Sequence, residues 1–208
     1  YSHLAEALIG RDGAIDDALK ALEEGGDVLG RTEFVRRMLS GQSPWGNKML
    51  LLDVFAEEIE ELDLDSLTLE QSIYYLILRA EQYWRLGDKD LAKAPAETLL
   101  ELAGRNVAPY GRQVGLAYAY LGQGREAVQY LAVPPEQINT NARTYQHFVV
   151  MEAYGQVLLG NQDAAFERLD HALSVPGPIS IETILASPLW LELQSNSKFQ
   201  SLINKYGD

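Results

Sequence analysis

Seven carboxylates and no base fall within residues 53–65: Asp53, Glu57, Glu58, Glu60, Glu61, Asp63 and Asp65. Acid oxygens at that density are the raw material of a calcium loop, but such a loop alternates its ligands along an irregular backbone that turns at a central glycine. This stretch has no glycine, and Val54, Phe55, Ile59 and Leu62 recur at helical spacing. Asp53, Glu57, Glu60 and Glu61 are therefore expected on the solvated side of a helix, or as a docking surface for a basic partner. Other chemistry-bearing residues are as sparse. The chain has no cysteine, which removes thiol nucleophiles, disulfides and Cys-based zinc or iron–sulfur sites together. His3, His147 and His171 do not fall at metal-ligand spacing, so His147 reads as an ordinary surface or interface histidine. "GQGRE", residues 122–126, has the glycines of a phosphate loop but neither the preceding strand nor the Lys-Ser/Thr that would meet phosphate and magnesium. Paired carboxylates for glycoside hydrolysis are available by counting, yet no acid has a reason in the sequence for a raised pKa. The expectation is a protein without catalytic residues, cofactor or metal: not an enzyme.

Charge narrows the partners. With 17 Lys and Arg against 30 Asp and Glu, the formal charge is -13, and nucleic acid and anionic lipid should be repelled unless a basic patch overcomes the field. Arg36 and Arg37 form only a doublet. The apolar run at residues 49–52 is far too short to cross a bilayer, so no direct membrane insertion is expected. An opening Tyr1 in place of methionine reads as an excised or processed piece of a longer chain. The cytoplasm is slightly favoured over the periplasm, without a residue that decides it.

The elements that must position these groups are helical. Apolar residues recur at intervals of three and four and seldom alternate. Leu69, Ile73, Leu76, Ile77, Ala80, Tyr83 and Trp84 make a broad stripe, and Thr68 followed by Gln71 is a capping-box start. Gly87 ends that pattern, and Asp88 is placed to cap a second helix over 89–103. The same shape returns as helices 107–121 and 125–132 broken at Gly122, then as 142–159 and 162–173 broken at Gly160 with Asn161 as cap. The turn glycines are 35 and 38 residues apart, a period that implies stacked helix pairs, each unable to bury its apolar face without a neighbour. Three extra residues in the last interval belong to the connector "VPPEQINTNAR". The first third is less regular: a hairpin from helices at 4–9 and 14–23 turned at "GRDG", then helices at 31–39 and 45–62, the latter with Ser43 as cap and Pro44 at its first position. "SVPGPIS" stops the last pair, and Ser197 with Gln200 starts a final helix whose Phe199, Leu202 and Ile203 seal the open end.

Gly115, Tyr118, Gly122, Ala127 and Leu131 set out one pair in detail: a small residue where two helices cross, an aromatic beside it, and a turn glycine. Ala80, Tyr83, Gly87, Ala92 and Leu99 repeat the arrangement, as do Ala153, Gly160, Ala165, Leu169 and Ala172. In these positions the sequence resembles the tetratricopeptide repeat (TPR) family over residues 72–175, half of the chain. It departs from the family at Gln156, Pro134 and Gly111. The ending "LASPLWLELQSNSKFQSLINKYG" looks like the tail that follows such repeats in multidomain bacterial signalling and regulatory proteins.

The resemblance implies an all-α, right-handed superhelical array of antiparallel helix pairs, with an irregular N-terminal region at 1–67, three repeats at 68–175 and a C-terminal connector and capping helix at 176–208. It implies a scaffold that binds a peptide or partner protein, or a domain of its own parent chain, along its concave face. That face would carry Tyr74, Leu78, Glu81, Trp84 and Arg85 from the first repeat, Arg112, Gln113, Leu116 and Tyr120 from the second, and His147, Met151, Tyr154 and Leu158 from the third. Arg85 and Arg112 would receive a carboxylate or a peptide C-terminus, with pairing of Arg112 to a neighbouring acid as the alternative. For Tyr74 and Trp84 the alternative is packing between repeats. Two further readings stay open: a regulatory or sensor module packed on another domain, and an enzyme built on a helical solenoid. A homodimer is also open to it.

Overall fold

The computed structural model describes Val35, Leu39, Leu52 and residues 56–104, 107–134, 142–186 and 188–207. Helices α1 (Ala56–Glu60), α2 (Leu69–Arg85), α3 (Lys93–Ala103), α4 (Gly111–Tyr120), α5 (Gly124–Leu131), α6 (Ala142–Leu158), α7 (Gln162–Ser174), α8 (Ile181–Ala186) and α9 (Ser197–Tyr206) succeed one another, with 3-10 segments at Leu64–Ser66, Ala108–Tyr110 and Pro188–Leu193. No strand occurs among the described residues, so the class is all-α. Two compact units divide the chain, Tyr1–Arg79 and Ala80–Asp208, with the boundary inside α2. The hairpin expected at residues 4–23 and the start of the helix expected at 45–62 lie outside the described residues.

In the first unit, Thr68 and Gln71 make the reciprocal capping box read from their spacing. The Gln71 N–H donates to Thr68 Oγ1 at 3.3 Å and the Thr68 N–H donates to Gln71 Oε1 at 3.0 Å. The acidic run divides differently from expectation. Ile59 and Leu62 are buried and Glu60 and Glu61 exposed, but α1 stops at Glu60. Asp63 then caps the 3-10 segment by accepting the Asp65 N–H at 3.1 Å, a local bond that competes with continued helix. Arg79 reaches Glu60 at 3.8 Å.

The second unit is organised by one turn used three times. After α2, the Asp88 N–H donates to Tyr83 O at 3.0 Å and the Gly87 N–H to Trp84 O at 3.0 Å. After α4, Gln123 donates to Tyr118 O at 2.9 Å and Gly122 to Ala119 O at 3.0 Å; after α6, Asn161 donates to Gln156 O at 2.8 Å and Gly160 to Val157 O at 2.9 Å. Each is a Schellman motif, which satisfies the helix's orphan carbonyls and needs a left-handed residue. Gly87, Gly122 and Gly160 supply it with φ of 81°, 70° and 78°.

Helix starts agree with expectation less closely than helix ends. Asp88 does accept the Leu91 N–H at 3.3 Å, but residues 89–92 form turns and α3 begins at Lys93, with Pro95 in its first turn where no N–H is required. Asn161 makes no side-chain cap; its amide donates to Gln156 Oε1 at 3.0 Å. The cap of α9 is Asn196, which accepts the Lys198 N–H at 2.9 Å and displaces Ser197 into the helix. At α9 two adjacent polar residues, Asn196 and Ser197, can cap, and spacing does not choose between them.

α4 packs on α5 and on α6, and α6 packs on α7. Leu131 of α5 is the knob at the centre. A Cβ on Gly115 would fall 2.7 Å from Leu131 Cγ and 3.0 Å from Tyr130 Cβ, and one on Gly155 would fall 2.2 Å from Leu131 Cδ1. Two helices thus give up a side chain where Leu131 enters, and burying it contributes about 1.5–3 kcal/mol. Tyr118 and Tyr130 stack beside the crossing, 5.7 Å between centroids. The expected alanines, Ala80, Ala127, Ala153, Ala165 and Ala172, are buried. α9 lies against α7, where Phe199 meets Phe166 at 6.1 Å and Tyr206 donates to Asp170 Oδ1 at 2.8 Å.

Candidate functional site

Of the thirteen residues assigned to a concave face, Tyr74 and Leu78 belong to the first unit; Tyr74 is partly buried and Leu78 buried. In the second unit Glu81, Gln113, Leu116, Tyr120, Met151, Tyr154 and Leu158 are buried, while Trp84, Arg85, Arg112 and His147 are partly exposed. The buried ones offer almost no area to a partner in this conformation. What the fold brings together is a polar cluster. Glu81, 1% exposed, stands near the end of α2. Its Oε2 accepts the hydroxyls of Tyr120 from α4 and Tyr154 from α6, and its Oε1 accepts Arg85 Nε at 2.8 Å. Burial, reinforced by the negative charge of Glu81, pushes both phenols well above the usual tyrosine range, so they stay protonated as donors. Each ring is braced edge-on by an indole: Trp84 against Tyr120 at 5.8 Å and Trp190, from the 3-10 segment, against Tyr154 at 5.9 Å. Lys89 lies 4.5 Å over the Trp84 ring.

Arg112 has a different task. Its Nη1 donates to Tyr130 O and Ala132 O at 3.1 Å each and to Leu131 O, which ties the last carbonyls of α5 to α4. Its guanidinium lies 4.7 Å over Phe148. Burial lowers its pKa, against the opposing charge of Glu152. The pairing is thus chiefly with backbone oxygens.

Sequence reasoning missed two buried polar residues on α6. Gln146, fully buried, donates from Nε2 to Ala172 O at 3.0 Å and to Ile179 O at 2.8 Å, and accepts the Ile179 N–H at 2.8 Å, which pins the connector after α7. Glu152 accepts Arg168 Nε at 3.1 Å and the Val133 N–H at 3.3 Å; burial raises its pKa against the pull of both. A signal was available. α6 is apolar around most of its circumference, with Tyr145, Phe148, Val149, Val150, Met151, Ala153, Tyr154, Val157 and Leu158. A helix of that kind is enclosed, and polar residues on it must find partners inside.

Both buried carboxylates have an arginine and further donors on them, which holds them as structural acceptors. Tyr145 Oη and His171 Nε2 are 2.8 Å apart. Among the described residues no three His, Cys, Asp or Glu side chains are grouped to hold a metal, and no helix is long and apolar enough to cross a membrane. No family model, curated protein or solved structure matches the chain.

Proposed function

We propose that this chain carries a TPR-like scaffold, a right-handed superhelical array of antiparallel helix pairs, whose second unit binds a peptide or partner protein through the side formed by the end of α2 (residues 80–85), α4 and α6. The observation that carries the reading is the Schellman turn at Gly87, Gly122 and Gly160, which recurs at nearly constant spacing after those three helices. Repetition of one local unit is how solenoids build extended recognition surfaces. Trp84 and His147 are the partly exposed side chains of that side which a partner would meet on this reading; Arg85 and Arg112 are held by Glu81 and by the end of α5. Binding, and not bond making, is its contribution.

The test is selection from a peptide library followed by amide chemical-shift mapping. Perturbations at residues 80–85 of α2 and at residues of α4 and α6 are expected. Perturbations confined to α3, α5 and α7, or no selected peptide, would reject the reading.

A second reading has its own support. Among the described residues of the second unit, the exposed large apolar side chains are Leu86 and Leu91 at the first turn, Leu102 and Val128 on α3 and α5, and Leu191 in the tail. None belongs to the concave set. That distribution favours a regulatory module resting on another domain of a larger signalling protein, and the same mapping with that domain added would place the contact at Leu86 and Leu91.

A further inference from the structure

Leu131 fixes the point at which α4, α5 and α6 meet, but the apolar contacts around it carry little direction. Leu116, Ala117 and Ala119 are buried on α4, and Val149, Met151 and Ala153 on α6. The hydrophobic effect scales with area and is indifferent to small rotations, so surfaces of this kind tolerate several mutual orientations. The Glu81 cluster does not. A hydroxyl must point at its acceptor, and both hydroxyls here point at one oxygen atom, Glu81 Oε2, from two different helices. Arg85 Nε holds the other oxygen. Rotation of α4 or α6 would withdraw a donor from a buried carboxylate and strand a buried phenol at the same time.

We propose that Glu81 acts as an orientation latch, selecting one mutual arrangement of the end of α2, α4 and α6 through the Tyr120 and Tyr154 hydroxyls. Buried polar groups that set register at some expense of stability are the best-attested use of such clusters. The ring–ring contacts with Trp84 and Trp190 then set where each phenol sits, and the carboxylate sets how the helices that carry them are turned. The latch operates whether or not a partner is bound, so it does not depend on the scaffold reading above.

The chain's lack of cysteine makes the test direct, because two introduced thiols are the only ones to label. Spin labels at Glu101→Cys on α3 and Glu167→Cys on α7, both exposed sites, report the orientation of one side of the unit against the other. Tyr120→Phe with Tyr154→Phe removes both hydroxyls and keeps the ring contacts. The expected result is a label–label distance distribution at least twice as wide as in the parent, with far-UV helicity unchanged. The triple variant Glu81→Met, Tyr120→Phe, Tyr154→Phe removes the stranded acceptor as well. It should regain melting temperature relative to the double variant and keep the broad distribution, a separation of stability from orientation that a merely stabilising network would not produce. The proposal is overturned if both variants keep the parent's width, if width and stability recover together in the triple variant, or if both variants lose their helices. If only the double variant fails to fold, the width measured in the triple variant decides.

Discussion

Glycine serves two regions of this molecule for opposite reasons. At the turns, a Cβ on Gly87, Gly122 or Gly160 would meet nothing within 4 Å, so the requirement is purely torsional, imposed by φ between 70° and 81°. At the crossings, Gly115 and Gly155 lie in ordinary helix, and the requirement is space for Leu131. One residue type thus marks both where the chain reverses and where helices touch. The lesson is that a glycine pattern locates contacts only after torsional glycines have been separated from steric ones.

The steric requirement is strictest at Gly115. Gly115→Val would drive two extra methyl groups into Leu131 and the Tyr130 Cβ, and a loss of about 3 kcal/mol or more is expected by denaturant titration. Gly115→Ala is the finer test. Overpacking costs about 1–3 kcal/mol, whereas Ala in a helix interior gains roughly 0.5–1 kcal/mol over Gly, so a net loss centred on about 1 kcal/mol and no larger than about 2.5 kcal/mol is expected. Because the clash is with Leu131, the double variant Gly115→Ala, Leu131→Ala should lose less stability than the sum of the two single losses. Additive losses would show that Leu131 is not what Gly115 accommodates.

At the turns, Gly87→Ala, Gly122→Ala and Gly160→Ala should each cost about 1 kcal/mol, the left-handed penalty of roughly 1–2 kcal/mol less the entropy removed from the unfolded chain. The three values should agree, because the torsions agree and the space is open. Scatter as wide as that between the crossing positions would end the torsional account. Gly122→Asn should cost less than Gly122→Ala in the same melts, since asparagine enters the left-handed region more readily. The smallest effect is expected at Gly155→Ala. There the close contact is with one terminal methyl, Leu131 Cδ1, and the next atoms lie at 3.6 and 3.9 Å. A shift of the leucine rotamer, about 0.5–1.5 kcal/mol, nearly cancels the gain in helix propensity, so a change near zero is expected by the same titration.

Legibility followed the range of the interaction. Thr68 with Gln71, and the ends of α2, α4 and α6, were read correctly because their hydrogen bonds close within six residues. The start of α3 and the cap of α9 differ from expectation, because small geometric differences decide where a helix begins, while Asn161 stands at the expected N-cap position without a side-chain cap bond. Gly115 was placed at a crossing, but Gly155 was passed over in favour of Ala153, since only the position of Leu131 distinguishes them. The candidate site was the least legible part. Helical spacing put Tyr120, Tyr154 and Glu81 on corresponding helices, and it carried no information on whether the facing space held solvent or one another.

Among the described residues, the amino-acid sequence alone fixes where α2, α4 and α6 end and where the second unit reverses, since those outcomes rest on local torsions and on hydrogen bonds to residues a few positions away. Only the tertiary structure decided that Glu81 would meet two tyrosines from 39 and 73 residues downstream, and that Arg112 would tie off a neighbouring helix. Burial is a property of what lies opposite a side chain, and what lies opposite is set by helices that pack from far along the chain.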